Sequence, residues 1–349
     1  MDVLDFRSDT VTRPTPEMRE AMAAAVVGDD VYGEDPTVNR LQEMAATKMG
    51  MEAGLFVPSG TMGNLVALLA HCGRGDEVIL GNLAHTFLFE GGGLAALGGV
   101  SAHTVPNHPD GTMDLDAIRN AIRMDDSHFP ISRLVTIENT HNRCGGVSLS
   151  IEYTQSVADL AHERKLKLHI DGARIFNAAV ELGVDAKELS SPADSITFCI
   201  SKALSAPVGS VICGTNDFIH KAHRERKKLG GGMRQAGILA AAGIVALEQM
   251  IDRLGDDHRR AKELGKGIAK IPGVEIDLSL QHTNMVYFNL SENLKITNKE
   301  FLSETSKQNL LFGWVGGRRF RMVTHYWIDD SAVKQAVDII SNVIGDIPY

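Results

Sequence analysis

The chain has 349 residues, of which 44% are hydrophobic and 23% are charged, and its formal net charge is −9. This composition is typical of globular proteins and excludes a disordered, collagen-like or coiled-coil chain. Because an acidic protein repels phosphate backbones and anionic membranes, we expect neither a nucleic-acid partner nor a membrane partner.

Other sequence features argue against export and against a metal site. The longest apolar stretch spans residues 236–247 and is too short to cross a bilayer. The first five residues include acidic side chains where a leader peptide would carry basic ones, so we expect a cytoplasmic protein. The cysteines form no Cys-x-x-Cys pair and no His-Glu-x-x-His pattern occurs, so we expect no metal.

Apolar runs of strand length alternate with helical patterns from the start of the chain to residue 213. Thr15-Pro16 and Asp35-Pro36 each place a capping side chain before a proline, which predicts helices over 15–27 and from residue 35 to Gly50. Strands alternating with helices predict a mostly parallel sheet between helices. The seven predicted strands are 54–57, 77–80, 100–105, 134–138, 166–170, 195–200 and 208–213, and the last two should form an antiparallel hairpin.

Beyond residue 213 the pattern changes to long helical segments and short strands. Helices are predicted over 218–228, 236–254, 257–271, 299–308 and 331–344, and strands over 285–290 and 320–323. The whole pattern predicts an α/β protein with two domains. We expect a large domain over residues 1–250 and a small C-terminal α+β domain over residues 251–349.

Polar residues follow three of the predicted strands, where ligands bind in open α/β sheets. Ser59, Gly60 and Thr61 open a helix whose N–H groups could hold a phosphate, although an ordinary capped turn explains them equally well. Asp171 and Lys202 end two later strands and lie one helix and one strand apart. Adjacent strands could therefore present this aspartate and this lysine at the same edge of the sheet. Taken alone, the aspartate more often caps a helix and the lysine is usually solvated.

A lysine, an acid and an anion site are the groups that pyridoxal phosphate requires. The lysine forms a Schiff base and must be partly desolvated to lose its proton. The acid keeps the ring nitrogen protonated, and the anion site takes the phosphate. The three segments together therefore raise the hypothesis of a pyridoxal phosphate site.

Eight blocks of the sequence resemble the low-specificity L-threonine aldolases. They are residues 5–14, 28–36, 57–62, 138–142, 169–174, 201–210, 230–237 and 321–325. The blocks occur in the family's order and extend over nearly the whole chain. The resemblance implies the fold of the aspartate aminotransferase type (fold type I) and pyridoxal 5′-phosphate as the cofactor.

The resemblance also implies which residues hold the cofactor. Lys202 would form the internal aldimine, Asp171 would pair with the pyridine nitrogen, and His85 would stack on the ring. Gly60 and Thr61 would bind the phosphate, with Arg234 contributed by a neighbouring subunit. A further cofactor contact is assigned to Ser59, which precedes them.

A second set of residues is implied for the substrate. Arg174 would flank the ring oxygen, and Ser8 and Arg321 would bind the substrate carboxylate. His141 would lie near the substrate hydroxyl. The base that removes the hydroxyl proton could be His85, His141 or a water that they hold, and the sequence does not decide between them.

The reaction implied is retro-aldol cleavage of L-threonine or L-allo-threonine to glycine and acetaldehyde through an external aldimine, with activity on other L-β-hydroxy-α-amino acids. β-Elimination, transamination or a non-catalytic cofactor-binding protein are the alternatives. Because Arg234 would cross a subunit boundary, we expect a homo-oligomer, a dimer of dimers by resemblance. Arg143 and Ala203 stand where the family often has glycine, and the Arg321 block is preceded by Trp314, Gly316 and Gly317. The first and the last of these three departures lie beside residues expected near the substrate, which leaves the side-chain preference open.

Overall fold

The computed structural model describes residues 3–345, and its strands and helices occur in the following order. The strands are β1 (Leu4–Asp5), β2 (Ala53–Val57), β3 (Asp76–Gly81), β4 (Ser101–Val105), β5 (Ile131–Glu138), β6 (Lys167–Asp171), β7 (Ser195–Cys199), β8 (Ser210–Gly214), β9 (Val274–Glu275), β10 (Met285–Leu290), β11 (Leu310–Leu311), β12 (Gly313–Gly316) and β13 (Arg319–Val323). The helices are α1 (Pro16–Ala23), α2 (Pro36–Met49), α3 (Gly60–His71), α4 (His85–Leu88), α5 (Gly93–Ala96), α6 (Leu115–Ala121), α7 (Ile151–Glu163), α8 (Ile175–Leu182), α9 (Ala186–Ser190), α10 (Asn216–Lys228), α11 (Gly237–Val245), α12 (Leu254–Ile268), α13 (Asn298–Lys307) and α14 (Asp330–Gly345).

The large sheet has seven strands in the order β2-β8-β7-β6-β5-β3-β4. The pairs among β3, β4, β5, β6 and β7 are parallel, whereas β8 is antiparallel to both β7 and β2. The predicted mostly parallel sheet and its antiparallel hairpin are therefore confirmed. In the parallel register Glu138 lies opposite Asp171, and Asp171 lies opposite Thr197. The carboxyl ends of β5, β6 and β7 consequently form one edge, and Lys202 follows that edge.

The predicted helix starts are present, but two predicted helix lengths are wrong. Asp35 caps α2 by accepting from the N–H groups of Thr37 and Val38 at 3.1 and 3.0 Å. The helix predicted to residue 27 ends at Ala23, because the β-branched Val26 and Val27 and the following glycine favour other conformations. The helix predicted over 236–254 is interrupted by a π-helical turn over Ala246–Met250.

The two largest buried apolar clusters belong to different sheets. The larger cluster packs helices against the seven-stranded sheet, and the second surrounds the four-stranded sheet β12-β13-β10-β9 with α12 and α14. Phe6 is buried in the second cluster, because β1 pairs in parallel with β11. The amino-terminal segment thus contacts residues far along the chain. The domain boundary predicted at residue 250 stays a prediction. Among the helices of residues 3–345, none combines the length and apolarity that a bilayer crossing needs.

Candidate active site

A cavity of about 360 Å³ opens at the carboxyl edge of β6 and β7. Six of the residues predicted from the sequence line it: Ser59, Gly60, Thr61, His85, Asp171 and Lys202. The remaining wall includes Asn64 and Glu90, which sequence reasoning did not single out. The structure therefore brings these six predicted residues together in one place.

The start of α3 forms the anion-binding end of the cavity. Ser59 caps this helix, its Oγ accepting from the N–H of Met62 at 3.1 Å. A Cβ on Gly60 would come within 2.8 Å of Cys199 Sγ, so glycine lets the helix start lie directly against β7. The N–H groups of a first helical turn have no partner within the helix and carry the positive end of its dipole. This end of the cavity fits a phosphate.

Asp171 is buried and held by neutral donors. Its Oδ1 accepts from the N–H of Ala173 at 3.2 Å, and its Oδ2 accepts from Asn64 Nδ2 at 2.8 Å. Within residues 3–345 no cationic side chain forms an ion pair with this carboxylate. Its charge is therefore available to a protonated ring nitrogen, as pyridoxal phosphate requires.

Lys202 follows β7 and is fixed through its backbone. Its carbonyl accepts from Thr12 Oγ1 at 2.9 Å and from the N–H of Ser205 at 2.8 Å. No carboxylate forms an ion pair with its amine in the part of the chain that the structure describes. A lysine amine that lines a cavity beside an aspartate and a helix N-terminus matches the donor set of the cofactor.

His85 begins α4 and is held from two sides. Its backbone N–H donates to Glu138 Oε2 at 2.7 Å, and its ring Nδ1 lies 2.9 Å from Glu90 Oε1. The hydrogen bond to Glu90 raises the pKa of His85 above its ordinary value, although burial opposes this. Burial and the nearby charge of Asp171 in turn raise the pKa of Glu90.

Arg174 is buried in a bidentate ion pair outside the cavity wall. Its Nε and Nη2 donate to the two carboxylate oxygens of Asp9 at 2.6 and 2.5 Å, and Asn284 also donates to Asp9 at 3.3 Å. Burial alone would raise the pKa of Asp9, but the charge of Arg174 outweighs it and the pKa lies well below its ordinary value. Sequence reasoning missed Asp9, although it lies in the first of the eight blocks.

Arg321, on β13, lies near Ser8 but not in the wall of the cavity. Its Nη1 donates to Asn142 Oδ1 at 2.7 Å and its Nη2 to the carbonyl of Arg7 at 3.2 Å. Its Nε is buried with no hydrogen-bond partner among residues 3–345. Ser8 Oγ accepts from the N–H of Thr10 at 3.2 Å. An unpartnered guanidinium N–H is suited to a carboxylate ligand.

The structure does not bring His141 and Arg234 to the cavity. His141 is 1% exposed, and both of its ring nitrogens lack a partner in the described part of the chain. Arg234 is exposed and donates from Nη1 to Asp29 Oδ2 at 2.9 Å. Neither side chain lines the cavity of its own chain.

Solved structures share this fold. The Leishmania major threonine aldolase aligns with a TM-score of 0.82 and 19% identity over 97% of this chain and 99% of its own. The aspartate aminotransferase from Rhizobium meliloti aligns with a TM-score of 0.69 and 14% identity over 99% of this chain and 92% of its own. At these identities the likeness shows the fold alone. The chain therefore has an α/β fold of the aspartate aminotransferase type, as predicted.

Sequence relatives narrow this class to one family. The Beta-eliminating lyase family model matches residues 5–292. The Low-specificity L-threonine aldolase 1 of Arabidopsis thaliana is 48% identical, covering 95% of this chain and 94% of that protein. The Low specificity L-threonine aldolase of Escherichia coli (strain K12) is 47% identical, covering 93% of this chain and 94% of that protein. The chain therefore belongs to the β-eliminating lyase family and, within this family of lyases, to the low-specificity L-threonine aldolases. The family resemblance seen in the sequence is confirmed.

Proposed function

We propose that this lyase cleaves L-threonine and L-allo-threonine to glycine and acetaldehyde by a retro-aldol reaction that uses pyridoxal phosphate. One observation carries the proposal: Lys202, Asp171 and the N-terminus of α3 line a single cavity. The names of the relatives at 47% and 48% identity support the substrate. Other L-β-hydroxy-α-amino acids would share the Cα–Cβ bond that breaks, and we propose that they are accepted as well.

The residues of the cavity would hold the cofactor as follows. Lys202 would bind it covalently, Asp171 would face its ring nitrogen, and Ser59, Gly60 and Thr61 would receive its phosphate. Bound there, pyridoxal phosphate supplies an electron sink for the pair released from the Cα–Cβ bond. The chain's own contribution is to orient that bond and to remove the hydroxyl proton.

The substrate carboxylate would bind at Arg321 and Ser8. The unpartnered Nε of Arg321 supports this placement, because a buried donor without a partner is costly unless a ligand satisfies it. Arg174 would flank the ring oxygen of the cofactor from outside the cavity wall while its charge stays paired with Asp9. Fixing the carboxylate restricts rotation about the Cα and so selects which bond breaks.

His85 is the better candidate for the base, because its ring lines the cavity and that of His141 does not. General-base catalysis contributes about a hundredfold or more, so we expect His85→Asn to lower kcat for threonine cleavage by that order. His141→Asn is the matched comparison and should change kcat by less. A larger loss in His141→Asn than in His85→Asn would transfer the role to His141.

A shared site would explain the exposed position of Arg234. This guanidinium pairs with Asp29 away from its own cavity, so it could reach the phosphate site of a second subunit. Apolar side chains of Tyr32, Phe89 and Ile238 are also exposed and would be covered in an assembly. We infer a homo-oligomer, with a dimer of dimers as its proposed form.

A cytoplasmic location is also part of the proposal.

Acetaldehyde release tests the proposed reaction. The purified protein is assayed with L-threonine and with L-allo-threonine, with and without added pyridoxal phosphate, beside Lys202→Ala. Release from either amino acid that disappears in Lys202→Ala supports the lyase reaction, and the ratio of the two rates gives the stereopreference. Formation of an α-keto acid in place of acetaldehyde would instead indicate β-elimination or transamination. Bound cofactor without any turnover would indicate the binding protein.

A further inference from the structure

One carboxylate in the cavity wall has no part in the proposed binding of the cofactor or the substrate. Glu90 lies between α4 and α5, and its side chain is 4% exposed. Its Oε1 is 2.9 Å from the ring Nδ1 of His85 and 2.8 Å from the side-chain Nδ2 of Asn64. A buried carboxylate is costly unless donors satisfy it, and these two side chains are its donors.

Asn64 connects this carboxylate to Asp171. Its Nδ2 donates to Glu90 Oε1 and to Asp171 Oδ2, each at 2.8 Å. Carboxylate oxygens can only accept when ionised, so the amide nitrogen must be the atom that faces both. The Oδ1 of Asn64 is buried and has no partner among residues 3–345. The amide therefore separates two carboxylates that would otherwise repel each other, and it holds Glu90 in place.

The contact with Glu90 decides which nitrogen of His85 carries a proton. A carboxylate acceptor at Nδ1 keeps the proton on that nitrogen, so in the neutral ring Nε2 is the free acceptor. The ring of His85 is about one-third exposed, at 33%, whereas Glu90 is nearly covered. The open side of the imidazole is thus available to a substrate hydroxyl, and the covered side is occupied by its partner.

We propose that Glu90 is the positioning residue of His85: it fixes the ring through Nδ1 and leaves Nε2 to take the β-hydroxyl proton, while Asn64 ties Glu90 to Asp171. The inference rests on the proposed function and deepens it, because it assigns the group that orients the base. Glu90 acts through His85 and has no direct role in bond cleavage.

The charges around His85 give this arrangement a measurable signature. Glu90, Asp171 and Lys202 face its ring, and Glu138 accepts from its backbone N–H. The hydrogen bond to Glu90 is the largest cause that raises the pKa of His85. Glu90→Gln removes the negative charge but retains an oxygen that can accept from Nδ1. The pKa of His85 should therefore fall in this variant, while the ring keeps its place.

The experiment is an NMR titration of the His85 ring in the cofactor-loaded protein, with the signal assigned by its loss in His85→Asn. We expect the pKa of His85 to fall in Glu90→Gln, because the negative charge beside Nδ1 is removed. Glu43→Gln is the matched control, because Glu43 is an exposed glutamate of α2, and it should leave the titration unchanged. The low-pH limb of kcat/KM for threonine cleavage should move to lower pH by the same amount. An unchanged titration in Glu90→Gln, or a limb that stays in place while the pKa falls, would overturn the proposal.

A second variant covers the case in which Glu90→Gln does not fold. Glu90→Asp keeps the charge but shortens the side chain, so the bond to Nδ1 should be lost. We expect a lower kcat with little change in KM, because the base is displaced and the substrate contacts are not. A kcat equal to that of the unaltered protein would contradict a positioning role. The NMR titration needs no turnover, so it judges Glu90 even if threonine cleavage itself is not observed.

Discussion

The cofactor side and the substrate side of the proposed site are built in different ways. On the cofactor side, Asp171 ends β6, Lys202 follows β7 and Ser59 caps α3, so regular elements place every group in one cavity wall. On the substrate side, Ser8 lies in the amino-terminal segment and Arg321 in the small sheet, and both are outside that wall. The ends of strands and a helix position the residues of the cofactor side. Hydrogen bonds and ion pairs between segments that are distant in the sequence position those of the substrate side.

The difference teaches where substitutions should be tolerated. A group at a strand end stays in place when a neighbouring side chain changes, because the sheet's hydrogen bonds hold it. Arg174 depends instead on Asp9, and Arg321 depends on Asn142 and the carbonyl of Arg7. A substitution on the substrate side should therefore both displace the site residues and lower the free energy of unfolding. A substitution on the cofactor side should mainly lower the catalytic rate.

The largest effect is expected on the cofactor side. Asp171→Asn should lower kcat for threonine cleavage by about a thousandfold, because a preorganised charge opposite the ring nitrogen is lost. The free energy of unfolding should fall by about 1–3 kcal/mol, since the amide keeps an acceptor for Ala173 but turns its nitrogen toward the Nδ2 of Asn64. Acetaldehyde release and urea unfolding measure the two effects, with Asp338→Asn as the exposed control on α14. An Asp171→Asn enzyme with near-normal turnover would remove the assignment of this residue.

The next largest effect is a loss of stability on the substrate side. Asp9→Asn leaves the buried Arg174 without its counter-charge and should cost about 3–5 kcal/mol of unfolding free energy. Because the pKa of Asp9 is lowered in the folded state, the wild-type advantage should be complete above the unfolded aspartate pKa of about 4. It should shrink only as the pH falls below that value. Urea unfolding between pH 8 and pH 3 tests this, and an advantage that grows on acidification would contradict it.

A smaller effect is expected from Arg321. Arg321→Lys should lower kcat/KM for threonine by about thirtyfold, since a compact ammonium lacks the planar fork whose separate nitrogens face Asn142, the carbonyl of Arg7 and a carboxylate. The control is Arg319→Lys. Arg319 is on the same strand as Arg321, β13, and lies over the ring of Tyr287, which is on β10. Steady-state kinetics with L-threonine decide between them. Equal losses in both variants would mean that the strand, not the Arg321 guanidinium, matters.

The smallest effect concerns the subunit boundary. Arg234→Ala should weaken the binding of pyridoxal phosphate by about tenfold, the loss of one charge-assisted hydrogen bond. Arg224→Ala, at an exposed position of α10, should leave that affinity unchanged. Cofactor titration followed by absorbance gives the affinity, and light scattering gives the oligomeric state. A fully active monomer would exclude a shared site.

Sequence reasoning reached the cofactor side more completely than the substrate side for a physical reason. Asp171, Lys202 and Ser59 occupy positions that a strand-helix pattern defines locally, so the pattern allows them to meet at one edge of the sheet and the family resemblance assigns them to one site. Asn64 and Glu90 were missed, because Asn64 lies inside a helix and its hydrogen bonds to Glu90 and Asp171 join segments that are distant in the sequence. No local signal in the sequence distinguishes such residues from solvated ones. The π-helical turn at Ala246–Met250 was missed for the same reason, since its sequence remains typical of a helix.

The pairing of β1 with β11 sets the order in which the molecule can be completed during synthesis. Leu4 pairs with Leu310, so β1 stays without its partner until about 300 further residues have been made. Translation adds roughly 10 residues per second, which leaves that strand waiting for about half a minute. The large sheet and its cavity wall can close in this interval, because β2 to β8 are all made by residue 214. β11 then anchors β1, and the substrate side is finished last.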